Sequence, residues 1–282
     1  MKLEDLLGLA IFGSFALMML LEALFPARRY PARRLWRLQG FLFLVGMAVI
    51  ATFTPLLLPA DWLLAHRLMD GSALGIGLGT VVGYASVSLV FYGYHRAAHR
   101  FGFLWRGAHQ LHHAPQRMDM GGSAIFHPFE IVAFIVLSTI VTTLVLGLSP
   151  EAAALTGFVA QFYSFFQHMN VKTPRFLGYF IQRPEAHFVH HSYDVHAYNY
   201  GDFPIWDLLF GTFKNPAGYG EGAVGFDAPA DRRYGAMLAF RDVSDGVGIQ
   251  VQTRAASDIQ VSARGGSDKT RTPRTGLASG NG

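Results

Sequence analysis

Five apolar runs, four of them long enough to cross a lipid bilayer, constrain this chain before any other feature does. They run from about Leu6 to Phe25, Leu38 to Leu58, Ala73 to Tyr92 and Pro128 to Leu148, the last interrupted only by Glu130. A fifth, Ala152 to Gln167, is shorter and more polar, and reads as a tilted or partly buried span. A bilayer core needs roughly 20 apolar residues, and within it backbone polar groups must satisfy one another, which favours helix. With 51% hydrophobic and 15% charged residues and a mean hydropathy of +0.27, a soluble globular protein is disfavoured. The first run is too long and too weakly basic at its start for a typical signal peptide, and is expected to be a retained span. The expected fold is all-α, a multi-span helical membrane protein of about four to five spans.

Orientation follows from basic residues in short loops. Arg28, Arg29, Arg33, Arg34 and Arg37 follow the first span, whereas the loop around Asp61 to Asp70 carries Arg67 alone. Arg96, Arg100, Arg106 and Arg117 follow the third span, and Lys172, Arg175 and Arg183 follow the fifth run. The arginine-rich side is therefore expected to be cytoplasmic. A tight turn at Leu148–Pro150 would return the chain to that side. The net charge of +4 fits basic loops beside anionic lipid, and no nucleic-acid motif is present, so a nucleic-acid partner is not expected. The chain has no cysteine, which excludes disulfides, chain-held iron–sulfur clusters and thiolate-ligated haem. From Arg241 onward aromatics vanish and Ser, Gly, Asp and Arg dominate. The expected organisation is N-terminal spans over 1–70, a catalytic domain of spans plus cytoplasmic helical cap over 71–240, and a disordered tail over 241–282.

Eleven of the twelve histidines lie between His95 and His196. Most fall in HRAAH (His95, His99), HQLHH (His109, His112, His113) and HFVHH (His187, His190, His191). Residues at i, i+3 and i+4 share one helix face, so each cluster aims two or three imidazoles in one direction, a donor set suited to iron, zinc, copper or nickel. The span topology brings all three clusters to one membrane face, where a shared site for more than one ion is expected.

Several chemistries compete for such a site. A HExxH zinc protease fails, because HRAAH has no glutamate base. A bis-histidine haem needs single histidines at membrane depth. A metal transporter needs an intramembrane polar path, for which Glu22 and Glu130 are the main acidic candidates. Soluble di-iron bundles use Glu plus Glu-x-x-His, a pattern absent here. An oxygen-activating pair of irons held mainly by histidine remains, with transport or structural zinc as rivals.

The ordered motifs extend further. HRAAH is followed by W-R-x-x-H-x-x-H-H (Trp105 to His113), F-H-P-x-E (His127, Pro128, Glu130), Q-H-x-N (Gln167, His168, Asn170), HFVHH, N-Y-G (Asn199 to Gly201) and W-D-L-L-F-G-T (Trp206 to Thr212). This order, over roughly 82–213, resembles the fatty acid hydroxylase/sterol desaturase superfamily, and most closely its sterol-desaturase-like and alkylglycerol-monooxygenase-like branch. The resemblance implies an integral membrane enzyme that hydroxylates, or alternatively desaturates, a lipid at a histidine-bound di-iron centre. It implies His95, His99, His109, His112, His113, His168, His187, His190 and His191 as metal ligands, with His127 a ligand or close neighbour. Asn170, His196, Asn199 and Asp207 would stand behind the ligands, Asp207 (with Asp194 and Asp202) as acceptors of ring N–H groups. His66, on the far side, is unrelated. Trp105 and Trp206 are expected at headgroup level. The implied cofactors are two Fe ions, with Zn able to occupy the site in purified protein. The implied partners are a lipid substrate, the membrane and an external electron donor, a reductase or a pterin. Compact size points to a bacterial inner membrane.

Overall fold

The computed structural model describes residues 3–193, 195 and 197–244. Among them the fold is all-helical, with one isolated antiparallel bridge between Ser192 and Val224 and no strand. The elements are α1 (Leu3–Leu24), α2 (Trp36–Phe53), α3 (Ala60–Ala65), α4 (Gly75–Arg100), α5 (Gly102–Leu104), α6 (Gln110–His113), α7 (Pro128–Thr139), α8 (Pro150–His168), α9 (Pro184–His191), α10 (Ile205–Leu209) and α11 (Tyr234–Leu238). A π-helical turn, Trp105–His109, joins α5 to α6, and another, Ile140–Val145, extends α7.

Four helical stretches are long and apolar enough to cross a membrane: Asp5–Leu24, Trp36–Leu57, Gly71–Arg100 and Pro128–Val145. Their large apolar side chains are broadly exposed, as with Leu9, Leu20, Leu42 and Val81, which suits lipid as solvent. The more polar α8 packs against both α4 and α1. Small residues permit that approach: a Cβ on Gly83 would meet Thr156 Oγ1 at 2.4 Å, and one on Gly79 would meet Ala152 at 3.0 Å. Phe15 and Phe165 meet edge to face at 5.4 Å between α1 and α8.

The turn into α8 is built as its sequence suggests. Gly147 has φ +58°, Ser149 Oγ accepts from Ala152 N at 3.2 Å as the cap, and Pro150 opens the helix. The far loop is stitched to it by Leu68 N to Leu144 O (2.7 Å) and Gly71 N to Leu146 O (2.8 Å).

At the opposite end, polar tethers gather the histidine-bearing segments. Glu22 Oε2, 8% exposed, accepts from Met120 N (2.9 Å) and Asn170 N (3.2 Å). Asn170 clasps Arg28, accepting from its N–H at 2.9 Å and donating to its carbonyl at 2.7 Å. Trp36 Nε1 donates to Asp119 at 2.7 Å. This clasp leaves no room at Gly40, where a Cβ would lie 2.4 Å from the carbonyl oxygen of Gly121. Rigid backbone cannot yield there, so Gly40→Ala is expected to cost about 1–3 kcal/mol. A lower unfolding temperature in detergent, with Gly46→Ala (open space around its Cβ) as control, checks this.

The expected tail begins differently. Among residues 241–244, Val243 and Ser244 are buried, Ser244 Oγ accepts from Trp105 Nε1 at 3.0 Å, and Gln110 bonds both Arg241 O (2.8 Å) and Val243 N (3.3 Å). This stretch packs onto the segment that carries the second histidine cluster, and 245–282 lie outside the described residues. Trp105 itself is fully buried rather than at headgroup level, with its ring 5.3 Å from His99 and 5.5 Å from His113.

Candidate metal centre

Each histidine cluster ends a helix. His95 and His99 occupy the last turns of α4, His168 closes α8, and His187, His190 and His191 share α9. His109 closes the π-helical turn and is followed at once by His112 and His113 on α6. The π-helical turn shifts the register of this segment, a device common at functional sites.

The rings sort into two groups. His95, His99, His109, His113 and His190 form one, and His112, His168, His187 and His191 the other, with potential ligand atoms in each within 4.8 Å of one another. The consecutive pairs His112–His113 and His190–His191 are split between the groups, so α6 and α9 each serve both. In the first group His113 Nε2 lies 3.0 Å from His109 Nε2 and 3.1 Å from His190 Nε2. In the second, His168 Nε2 lies 3.0 Å from His112 Nε2 and 3.1 Å from His187 Nε2, which is 3.1 Å from His191 Nε2.

Five of the opposite ring nitrogens are held. Nδ1 of His95 donates to Tyr200 O (2.7 Å), of His190 to Tyr198 O (2.8 Å), of His168 to Ser164 O (2.5 Å) and of His112 to Ile125 O (3.3 Å). His109 Nδ1 meets the buried Glu130 carboxyl at 2.6 Å. Donation to a carbonyl puts the proton on Nδ1 and leaves Nε2 as a bare lone pair. Several such lone pairs facing one another at about 3 Å repel unless a cation lies among them. His95 Nε2 is buried with no hydrogen-bond partner at all. The donor set and its orphaned nitrogen therefore fit two closely spaced metal ions.

Burial keeps these rings neutral. Desolvation lowers His109 from 6.5 to about 3, and holds His112, His187 and His191 well below the usual imidazole range, helped by neighbouring histidines. Below the ordinary imidazole pKa the unfolded chain takes up protons that the folded centre refuses. The fold thus has full stability from these rings above about pH 6.5 and loses it as pH falls. Asp202 and Asp207, each raised by burial to about 6, act in the opposite sense over the carboxylate range, but are fewer than the lowered imidazoles. Metal-free protein in detergent is expected to show an unfolding temperature that is flat above neutrality and falls below about pH 6.

Nine of the sequence-predicted ligands are thus brought together, and one is not. His127 belongs to neither group: it caps α7, its Nδ1 accepting from Phe129 N at 3.2 Å, with Nε2 3.4 Å from Leu238 O. Its place before the helix-opening Pro128 makes it a cap and engages its ring with α7 and Leu238. Asp207 also departs from expectation. Among the described residues it bonds no imidazole, but accepts from Tyr200 N (2.9 Å), Gly201 N (2.9 Å) and Thr212 Oγ1 (2.7 Å). It therefore holds the turn whose carbonyls hold His95 and His190. Asn199, at φ 50°, ties this turn to α9 by donating to Ala186 O at 2.8 Å. Asp202 likewise bonds no imidazole among the described residues and accepts from Gln167 Nε2 at 2.7 Å. Asn170 serves the Arg28 clasp. His196 and Asp194 lie outside the described residues. His66 stacks on Trp62 at 4.4 Å in the far loop, away from both groups.

Several ring partners escaped sequence reasoning, the carbonyls of Ile125, Ser164 and Tyr200 among them. Glu130 was visible in F-H-P-x-E, yet nothing in the spacing tied it to His109. Tyr198 acts through its carbonyl, which side-chain identity cannot signal.

Two openings reach the centre. An apolar cavity of about 690 Å³, lined by Leu7, Phe12, Phe91, Phe134 and Phe158 among others, ends at His95, His109, His112, His168 and His187. Its wall on α8 extends from Ala153 to His168, about 22 Å at ~1.5 Å per residue. Its volume is in the range of sites for ligands of lipid size. A second opening of about 10 Å³, bordered by Arg117 and Asp119, reaches His112, His168 and His191 and has room for about one water.

Residues 80–212, which include all nine grouped histidines, match the model of the fatty acid hydroxylase family. The chain is 31% identical over 163 residues to the ornithine lipid hydroxylase OlsE of Rhizobium tropici, covering 56% of this chain and 49% of that protein. It is 27% identical to the alkylglycerol monooxygenase of Caenorhabditis elegans, over 44% of this chain and 25% of that one. For the Danio rerio alkylglycerol monooxygenase the identity is 29%, over 46% and 29%. The chain thus spans about half the length of the first relative and less of the other two. No solved structure gives a significant match.

Proposed function

We propose, from the match of residues 80–212 to the fatty acid hydroxylase family model, that this chain is a membrane oxygenase that hydroxylates an unactivated C–H bond of a lipid. One observation carries the reading: two adjacent groups of buried imidazoles, with lone pairs converging, close the inner end of an apolar cavity of about 690 Å³. His95, His99, His109, His113 and His190 would hold one iron, and His112, His168, His187 and His191 the other. When bound, the two irons supply the one-electron chemistry by which dioxygen oxidises a C–H bond.

The protein's own part is positioning and exclusion. The apolar walls hold an alkyl chain out of water and lead it to the imidazoles. The Nδ1 contacts of His95, His109, His112, His168 and His190 fix those rings so that much of the ligand geometry is set before metal arrives. Glu130 holds His109, and the 198–201 turn holds His95 and His190. Hydroxylation consumes two electrons and two protons and releases one water. The narrow opening beside Arg117 and Asp119 suits that exchange on the side away from the lipid. The electrons come from an external donor, a reductase or a pterin, since the chain has no cysteine to hold a cluster.

The arginines of 28–37 lie at the same end of the bundle as the histidines, as Arg28 clasps Asn170 and Arg33 pairs with Asp231 at 3.6 Å. With Arg67 the sole arginine or lysine of the loop around Asp61 to Asp70, this supports a centre facing the cytoplasm in a bacterial inner membrane. The test is iron-loaded protein in lipid nanodiscs, given dioxygen, a reductant and candidate lipids. A product heavier by one oxygen is expected. Loss of two hydrogens without added oxygen would make it a desaturase. Metal flux across liposomes without oxygen consumption would make it a transporter.

A further inference from the structure

Along its α8 wall the cavity is lined mainly by small or apolar side chains such as Ala154, Gly157, Phe158 and Ala160. Polar side chains line the cavity too, but Thr52, Thr139 and Thr142 bond carbonyls of their own helices and Gln167 bonds Asp202, which leaves Gln161 as the lining amide to explain. Its Nε2 is buried and has no hydrogen-bond partner, and the residue lines the cavity. Native proteins seldom leave a buried amide bare, and a leucine or methionine would fill the same space without that cost. Something that enters the cavity is therefore the natural partner. Gln161 lies seven residues before His168 on α8, two helical turns or about 10 Å along the axis. Ser138, on the α7 wall of the same cavity, stands at a comparable depth, about 12 Å along its helix from Glu130. Gln161 thus places an unpaired amide on the cavity wall at a fixed distance from the imidazoles.

We infer that Gln161 binds a hydrogen-bond-accepting oxygen of the lipid and so sets which carbon, about 10 Å along the chain, faces the histidines. The inference rests on the cavity being the lipid site of the proposed oxygenase. It makes Gln161 a specificity-determining residue: it grips the substrate at a distance from the reacting carbon and fixes the register of the chain. A carbonyl and a hydroxyl oxygen share this chemistry, and the choice of ligands separates them.

The experiment measures binding of a long-chain alkane, and of the fatty alcohol and methyl ester of the same chain length, to full-length protein in detergent. Wild-type protein is expected to bind at least one oxygenated lipid about tenfold more tightly than the alkane, the worth of one hydrogen bond to a buried group. Preference for the ester alone names a carbonyl, and for the alcohol alone a hydroxyl. Gln161→Leu should erase the preference while leaving alkane binding and the unfolding temperature undiminished, and Gln161→Asn, one methylene shorter, should keep part of it. In iron-loaded protein the leucine variant should spread the product hydroxyl over neighbouring carbons. A preference that survives in Gln161→Leu, or a lowered unfolding temperature showing that the amide holds the fold, would overturn the inference. If the preference is erased but iron-loaded wild type oxidises no lipid, the binding role stands and the oxygenase reading falls.

Discussion

Replacing His190 by alanine is expected to abolish lipid oxidation and to remove one of two metal ions while the other stays. His190 belongs to the five-histidine group and its Nε2 lies 3.1 Å from that of His113. It contributes nothing to the group of His112, His168, His187 and His191. Loss of a direct ligand should weaken metal binding by more than the roughly 10–100-fold that follows loss of an outer partner. His112→Ala should give the mirror result, emptying the second group and sparing the first. Elemental analysis of membrane-inserted protein, read beside turnover, decides. His127→Ala provides the contrast: it removes a helix cap at a cost of about 1 kcal/mol and should leave both metals in place. Wild-type turnover in the His190 and His112 variants would dismiss the centre. Loss of a metal from His127→Ala would restore that residue as a ligand.

This contrast shows what the sequence could and could not reveal. Helical spacing placed His187, His190 and His191 on one face, and the basic loops placed that face beside the other two clusters. Both inferences rest on period and charge, which a sequence displays directly. The partition of His112 from His113, and of His190 from His191, does not follow from spacing alone, because neighbours on a helix point about 100° apart and only the packing of α6 against α9 decides which group each one faces. His127 looked like a ligand by its motif, but the proline after it makes the position an N-terminus, and capping uses the ring locally. The span count was legible from hydropathy, whereas the interior place of α8 depended on small residues, Gly79 and Gly83, meeting Ala152 and Thr156. The burial of Val243 and Ser244 was hidden by composition, since a Ser- and Asp-rich stretch reads as solvated until a partner such as Trp105 is seen to need its hydroxyl. Backbone acceptors were the deepest blind spot, because a carbonyl carries no residue identity.

Those acceptors make Asp207 the more revealing second target. Asp207→Ala is expected to destabilise the protein by on the order of 3 kcal/mol, since it strips the acceptor from two backbone N–H groups, each worth about 1–3 kcal/mol when left bare. The loss should propagate in a particular direction. The 198–201 turn gives Tyr198 O to His190 and Tyr200 O to His95, and both rings serve the same metal group. Metal in that group should be held about 10–100-fold less tightly, while the group of His112, His168, His187 and His191 keeps its affinity. Asp207→Asn retains shape but turns a donor toward groups that are themselves donors, so it should follow the alanine variant in metal loss more closely than in stability. A general unfolding would lower both metals together and would show as loss at His112's group as well. Selective loss from the first group, at a temperature where the fold persists, would establish that a carboxylate touching no metal ligand nonetheless sets the geometry of two of them.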